Sequence, residues 1–140
     1  MPSLLIARQL LTINLSKKKS ENFKMINIIK SADNLQDGIT NMMSAAKEDY
    51  AQTMGRNESA YTKQKLEKYD SETTIKNGKK YVKVIHDRSV FAFIVKEDFK
   101  HFKKGDVLKP ASWAAPALNQ PRGNVLKGNY PIQWTGPLYL

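Results

Sequence analysis

Cysteine is absent from the chain, which excludes a disulfide scaffold, a thiolate-bound zinc or iron–sulfur centre and a cysteine nucleophile. Histidine is scarce. Only His86 and His101 occur, so a multi-histidine metal site within one chain is excluded as well. Neither GxGxxG nor GxxxxGK[ST] appears, leaving no glycine-rich phosphate cradle. No apolar run reaches the roughly 18 residues that span a bilayer. Acidic residues are outnumbered: 13 against 23 lysines and arginines, a formal net charge of +10 on 140 residues. That imbalance invites a polyanionic partner.

The remaining composition is that of one ordinary domain. Apolar residues make up 41% and charged residues 26%, neither a disordered nor a membrane-spanning balance. The positive excess is concentrated late in the chain. Residues 25–78 hold seven basic and eight acidic residues, whereas 79–140 hold eleven basic and four acidic. A lysine-rich surface that only maintains solubility is the plain alternative to a binding surface.

The first 24 residues read as an appendage. Leu4 to Leu15 is apolar but interrupted by Arg8 and Gln9, and the lysines 17–19 follow this run rather than precede it. That order does not suit a secretory signal. The stretch from Lys17 to Lys24 would be written in purine-rich codons directly before Met25, as a ribosome-binding region read through by mistake would be. Residues 1–24 are therefore expected to be a non-native or flexible extension, and 25–140 the single domain.

From Asp33 onward, Leu35, Ile39, Met42, Met43, Ala46, Tyr50 and Met54 recur at helical spacing. Asp33 with Gln36 resembles a capping box, and Gly55 offers a left-handed stop. A second helix is predicted from Asn57 or Ser59 to Tyr69, with Leu66 and Tyr69 inward. After Gly78 the pattern changes to strand chemistry. Tyr81–His86 and Ser89–Lys96 are rich in β-branched and aromatic residues and are joined by Asp87-Arg88. A turn at Lys103–Asp106 leads to a short strand at Val107–Lys109, and a last one is expected at Leu138–Leu140. The fold class is thus α+β: a helical hairpin packed on a small antiparallel sheet. From Pro110 the chain holds five of the six prolines and both tryptophans, read as an ordered irregular wrap with a helical turn near 112–118.

Several stretches carry a family resemblance. Lys80-Tyr81, Ser89-Val90, Gly105-Asp-Val-Leu-Lys109, Ala111-Ser-Trp-Ala-Ala-Pro-Ala117, Arg122-Gly-Asn124 and Trp134-Thr-Gly-Pro137 resemble segments of small uncharacterised proteins of tailed phages. The resemblance covers somewhat under half the chain. It implies a phage origin, hence a place in the bacterial host cytoplasm, and carries no activity.

For function, a Ser112, His86 or His101, and Asp106 triad can be written down, but no nucleophile elbow surrounds Ser112. Catalysis has no constellation in its favour, and no cofactor or metal is expected. The basic residues say more. Lys79, Lys80, Lys83, Arg88, Lys96, Lys100, Lys103, Lys104 and Lys109 fall on strands and turns of one sheet, near Tyr81, Trp113, Tyr130 and Trp134. Cations with stacking platforms are the requirement for binding single-stranded nucleic acid. Phe91 and Phe93 are expected in the core. In Arg122-Gly123-Asn124 the guanidinium and amide could fork onto a phosphate or base edge, or serve only to tie the loop, with Arg122 paired to Asp106. The expected nucleic-acid interface comprises Lys80, Lys83, Arg88, Lys103, Lys104, Lys109, Trp113, Arg122, Asn124 and Trp134. The competing expectation is a protein-interaction module contacting a host or phage protein through Trp134, Tyr139 and Leu140.

Overall fold

The computed structural model describes residues 28–54 and 59–139. The extension before Met25, the helix stop at Gly55, the second-helix start at Asn57 and the terminal Leu140 lie outside the described residues.

Helix α1 spans Leu35–Met54. Its cap lies one residue later than the Asp33 pattern suggests: Asp37 N donates to Asn34 Oδ1 at 2.8 Å, and Asn34 Nδ2 donates to Asp37 Oδ2 at 3.1 Å. This reciprocal pair satisfies an otherwise orphaned first-turn amide. The helix buries Ile39, Met42, Met43, Ala46 and Tyr50, the face the 3.6-residue period marked out. Gly38, in the first turn, is kept by a close approach. A Cβ there would lie 2.6 Å from Val125 O, so the helix propensity lost to glycine, about 1 kcal/mol, is exchanged for tight packing. Helix α2, Ala60–Lys68, is capped by Ser59, whose hydroxyl accepts from Thr62 N at 3.1 Å.

The sheet has four strands, β1 (Thr73–Asn77), β2 (Tyr81–His86), β3 (Ser89–Val95) and β4 (Val107–Leu108), in the order β1-β2-β3-β4. Every neighbouring pair is antiparallel. The sequence pattern predicted three of these strands; β1 is additional. Val84 faces Ala92 while Ile85 faces Val90, so Phe91 is an extra residue in β3. Such a bulge puts two successive side chains on one side, and Phe91 and Ala92 both join the core beneath the helices.

Both faces of β3 are covered, as its unbroken apolar run requires. One side carries the main core of Val82, Val84, Ala92, Ile94 and Val107 under α1. The other carries a smaller cluster of Phe93, Val95, Phe102 and Leu108, with Tyr81 and Phe99 at its edge. Residues 111–139 wrap the molecule without helix or strand, and Val125, Tyr130 and Ile132 from this segment are buried in the main core. Two local expectations are corrected here. Residues 112–118 form no helical turn: Ser112 Oγ accepts from Ala114 N and Ala115 N, and Ala117 N returns to Lys109 O, which closes a bend between Pro110 and Pro116. Leu138 and Tyr139 join no strand.

Candidate nucleic-acid interface

The β1–β2 hairpin places Lys76 directly opposite Lys83 in the register. Side chains directly opposite on one face stand about 5 Å apart, and like charges there cost about 0.2–1 kcal/mol. Lys79 and Lys80 follow in the connecting turn, which Lys96 Nζ holds by donating to Gly78 O at 2.9 Å. Alternation along β2 puts Tyr81 and Lys83 on the same side as Phe93, away from α1. The floor is aromatic: Tyr81 meets Phe93 edge-on at 5.7 Å between ring centroids and Phe99 at 6.0 Å.

Trp113 reaches this face from the bend that follows Pro110. Lys83 Nζ lies 4.0 Å from the centre of its ring and 5.9 Å from that of Phe93, while Lys80 Nζ sits 4.9 Å from that of Phe99. Such cation–π contacts hold the ammoniums in place without neutralising them. Trp113 remains 53% exposed, so it has indole surface left for another ring. Lys76, Lys79, Lys80, Lys83, Tyr81 and Phe93 line a groove of about 320 Å³ whose walls contain no carboxylate. Among the described residues the ion pairs lie elsewhere, on Lys47, Lys65 and Lys103.

Of the residues singled out in the sequence, the fold thus gathers Lys80, Lys83 and Trp113. Lys103 and Lys104 occupy the neighbouring turn, where Lys103 pairs with Asp98 at 3.8 Å and Lys104 N donates to the same carboxylate at 2.7 Å. Arg88 is at the far end of β2, roughly 20 Å along the strand from Lys80. Lys109 is occupied: Nζ donates to Pro137 O at 2.8 Å and rests 4.0 Å from the Tyr139 ring centre. Burial, and then the charge of Arg122, lowers its pKa. Arg122 donates from Nη1 to Gln120 O at 3.1 Å rather than pairing with Asp106.

Asn124 and Trp134 are tied into the fold away from this groove. Asn124 is buried, with Nδ2 donating to Lys104 O and Asp106 Oδ1 and Oδ1 accepting from Leu126 N and Lys127 N. All its bonding capacity is committed to closing the loop. Trp134 packs on the helix side of the sheet, edge-on to Tyr50 at 5.2 Å, with its backbone N–H donating to Asp49 Oδ2 at 2.9 Å. The paper triad also dissolves. Ser112 Oγ serves its own bend, His101 Nε2 lies 2.9 Å from Asn119 O, and Asp106 is held by Asn124 and Lys103 N.

Sequence reasoning missed Lys76, because Thr73–Asn77 is short, polar and without apolar alternation; only its pairing with β2 reveals the opposed lysines. Among the described residues no cluster of three metal-ligating groups occurs, and no helix is long and apolar enough to cross a membrane.

A family of unknown function, DUF7717, matches residues 13–139. The chain belongs to this family. No curated protein and no solved structure matches it. The family thus assigns no chemistry, and the basic groove stands on its geometry alone.

Proposed function

We propose that this DUF7717 member binds single-stranded DNA or RNA through the groove of Lys76, Lys79, Lys80 and Lys83, with Trp113 as a stacking platform for a base. The observation that carries this reading is the opposed pair Lys76 and Lys83, beside a half-exposed indole and with no carboxylate in the groove wall. Two lysines opposed in strand register repel one another at a cost of about 0.2–1 kcal/mol, and a phosphate bound beside them relieves that repulsion. Bases stacking on aromatic rings contribute about 1–3 kcal/mol each. The proposed role is non-enzymatic, that of a phage accessory protein in the host cytoplasm; the phage part rests on the resemblance of residues 79–140.

The test is direct. In a Trp134→Phe variant, Trp113 is the sole indole, and a twelve-residue oligo-dT should quench its fluorescence saturably at low salt. Absence of quenching with both oligo-dT and oligo-U would overturn the reading. A protein-interaction role retains one supporting feature, Tyr139, which is 84% exposed. Association through such aromatics would depend little on salt, whereas phosphate binding weakens steeply with it.

A further inference from the structure

A second cavity, of about 500 Å³, lies on the helix side of the sheet, remote from the basic groove, and is lined by Tyr50, Tyr61, Tyr69, His86, Phe91 and Trp134 among others. Its size and aromatic walls are those of a small-molecule site. The rings form a connected series: Trp134 to Tyr50 at 5.2 Å, Tyr50 to Tyr69 at 6.2 Å, and Tyr69 to His86 at 4.1 Å.

The polar atoms of the wall define what would fit. Thr73 has one hydroxyl proton, and it is donated to Tyr69 O at 3.2 Å. With the proton so placed, both contacts are satisfied when His86 Nδ1–H donates to Thr73 Oγ1 across the 3.0 Å contact, the tautomer assigned here. In the neutral ring, Nε2 then carries the lone pair. That atom has no hydrogen bond; Glu72 Oε1 is 4.0 Å away. Burial, then the nearby Lys65 charge, lowers the His86 pKa against the opposing pull of Glu72 and Asp87, which keeps the ring neutral at neutral pH. Tyr69 Oη is buried without a partner.

The charges around the cavity are internally engaged. Lys65 Nζ bonds Glu72 at 3.0 Å and Asp87 at 3.2 Å. A cationic ligand would meet that ammonium, and an anionic one the two carboxylates. We propose that this cavity binds a small, flat, uncharged aromatic molecule bearing an O–H or N–H donor, a phenol or N–H heteroaromatic, whose donor bonds His86 Nε2 while its ring packs among Tyr50, Tyr69 and Trp134. The site is independent of the nucleic-acid reading.

The test uses the full chain with Trp113→Phe, leaving Trp134 as the only indole, and three probes: p-cresol, toluene and tetramethylammonium. p-Cresol should perturb Trp134 fluorescence saturably and shift the His86 Nε2 resonance in nitrogen-15 spectra. Toluene, with the same ring and no donor, should bind about five- to tenfold more weakly. In His86→Phe the two should bind equally. Equal affinity of p-cresol and toluene for the parent, tighter binding of tetramethylammonium, or no saturable response at Trp134 would each overturn the proposal, and none of these depends on the His86 variant folding.

Discussion

Replacing Lys76 and Lys83 together by glutamine removes the opposed pair while keeping side-chain length and strand register. If each of the four groove lysines neutralises one phosphate, single-strand affinity should fall with salt along a log–log slope of about −2.8, at about 0.7 per phosphate. Between 50 and 200 mM salt that is a loss of about 50-fold. The double variant, with two contacts left, should show a slope of about −1.4 and lose only about sevenfold over the same range. The assay is fluorescence anisotropy of a labelled oligo-dT titrated with the full chain at four or five salt concentrations. Stability moves the other way: relieving the like-charge pair should leave thermal stability unchanged or raise it by up to about 1 kcal/mol. A slope identical in parent and variant would refute the reasoning outright, since it would place the bound phosphates elsewhere on the molecule.

The two tryptophans should separate cleanly. Trp113→Ala should weaken oligo-dT binding about 5- to 150-fold through lost stacking with little change in melting temperature, whereas Trp134→Ala should lower stability by about 2 kcal/mol and spare binding; anisotropy and calorimetry on both variants check this. Asn124→Ala should cost about 2–3 kcal/mol, because Asp106 and two loop amides lose a buried partner at once; urea denaturation reads it. Stability should also decline as pH falls below about 6.5, the ordinary histidine value. The folded His86 pKa is lowered, so the unfolded chain takes up the proton first, and stability is lost until pH reaches the folded value. Melting curves from pH 7.5 to 5 should show a decline that His86→Phe reduces.

The helices and the central strands were legible because burial imposes periodicity: α1 buries Ile39, Met42, Met43, Ala46 and Tyr50 at the spacing read from the chain, and β3 is apolar on both faces because both are covered. The edge strand β1 was not. Four of its five residues are exposed, so no hydrophobic alternation selects it; its existence follows from backbone pairing with β2. The site was half legible for the same reason. Lys80, Lys83 and Trp113 lie in stretches whose chemistry is visible in one dimension. Their association with Lys76 depends on cross-strand register, and the separation of Trp134 from Trp113 depends on which face of the sheet the wrap crosses. Neither is written in local composition.

What divides the candidate residues is unfilled bonding capacity, not residue type. Asn124 and Lys109 look as apt for a phosphate as any group in the groove, yet their side chains donate hydrogen bonds within the fold. Lys76 and Lys83 make no ion pair among the described residues and face each other at an electrostatic cost. His86 leaves Nε2 bare in an aromatic cavity after Nδ1 is satisfied. Holding like charges opposite one another costs up to about 1 kcal/mol, and the Tyr69 hydroxyl in the same cavity wall is buried without a partner, at a cost of about 1–3 kcal/mol. Lys83 and His86 each also make contacts within the fold, Lys83 with the Trp113 ring and His86 with Thr73 Oγ1, and each keeps bonding capacity beyond them. The two arrangements stand on opposite sides of β2. Through its alternation that strand presents Lys83 to one surface, Val82 and Val84 to the core, and His86 to the cavity beyond the bulge. A single short strand therefore carries one group from each candidate site, and the variants Lys83→Gln and His86→Phe should act on separate ligands without acting on each other's.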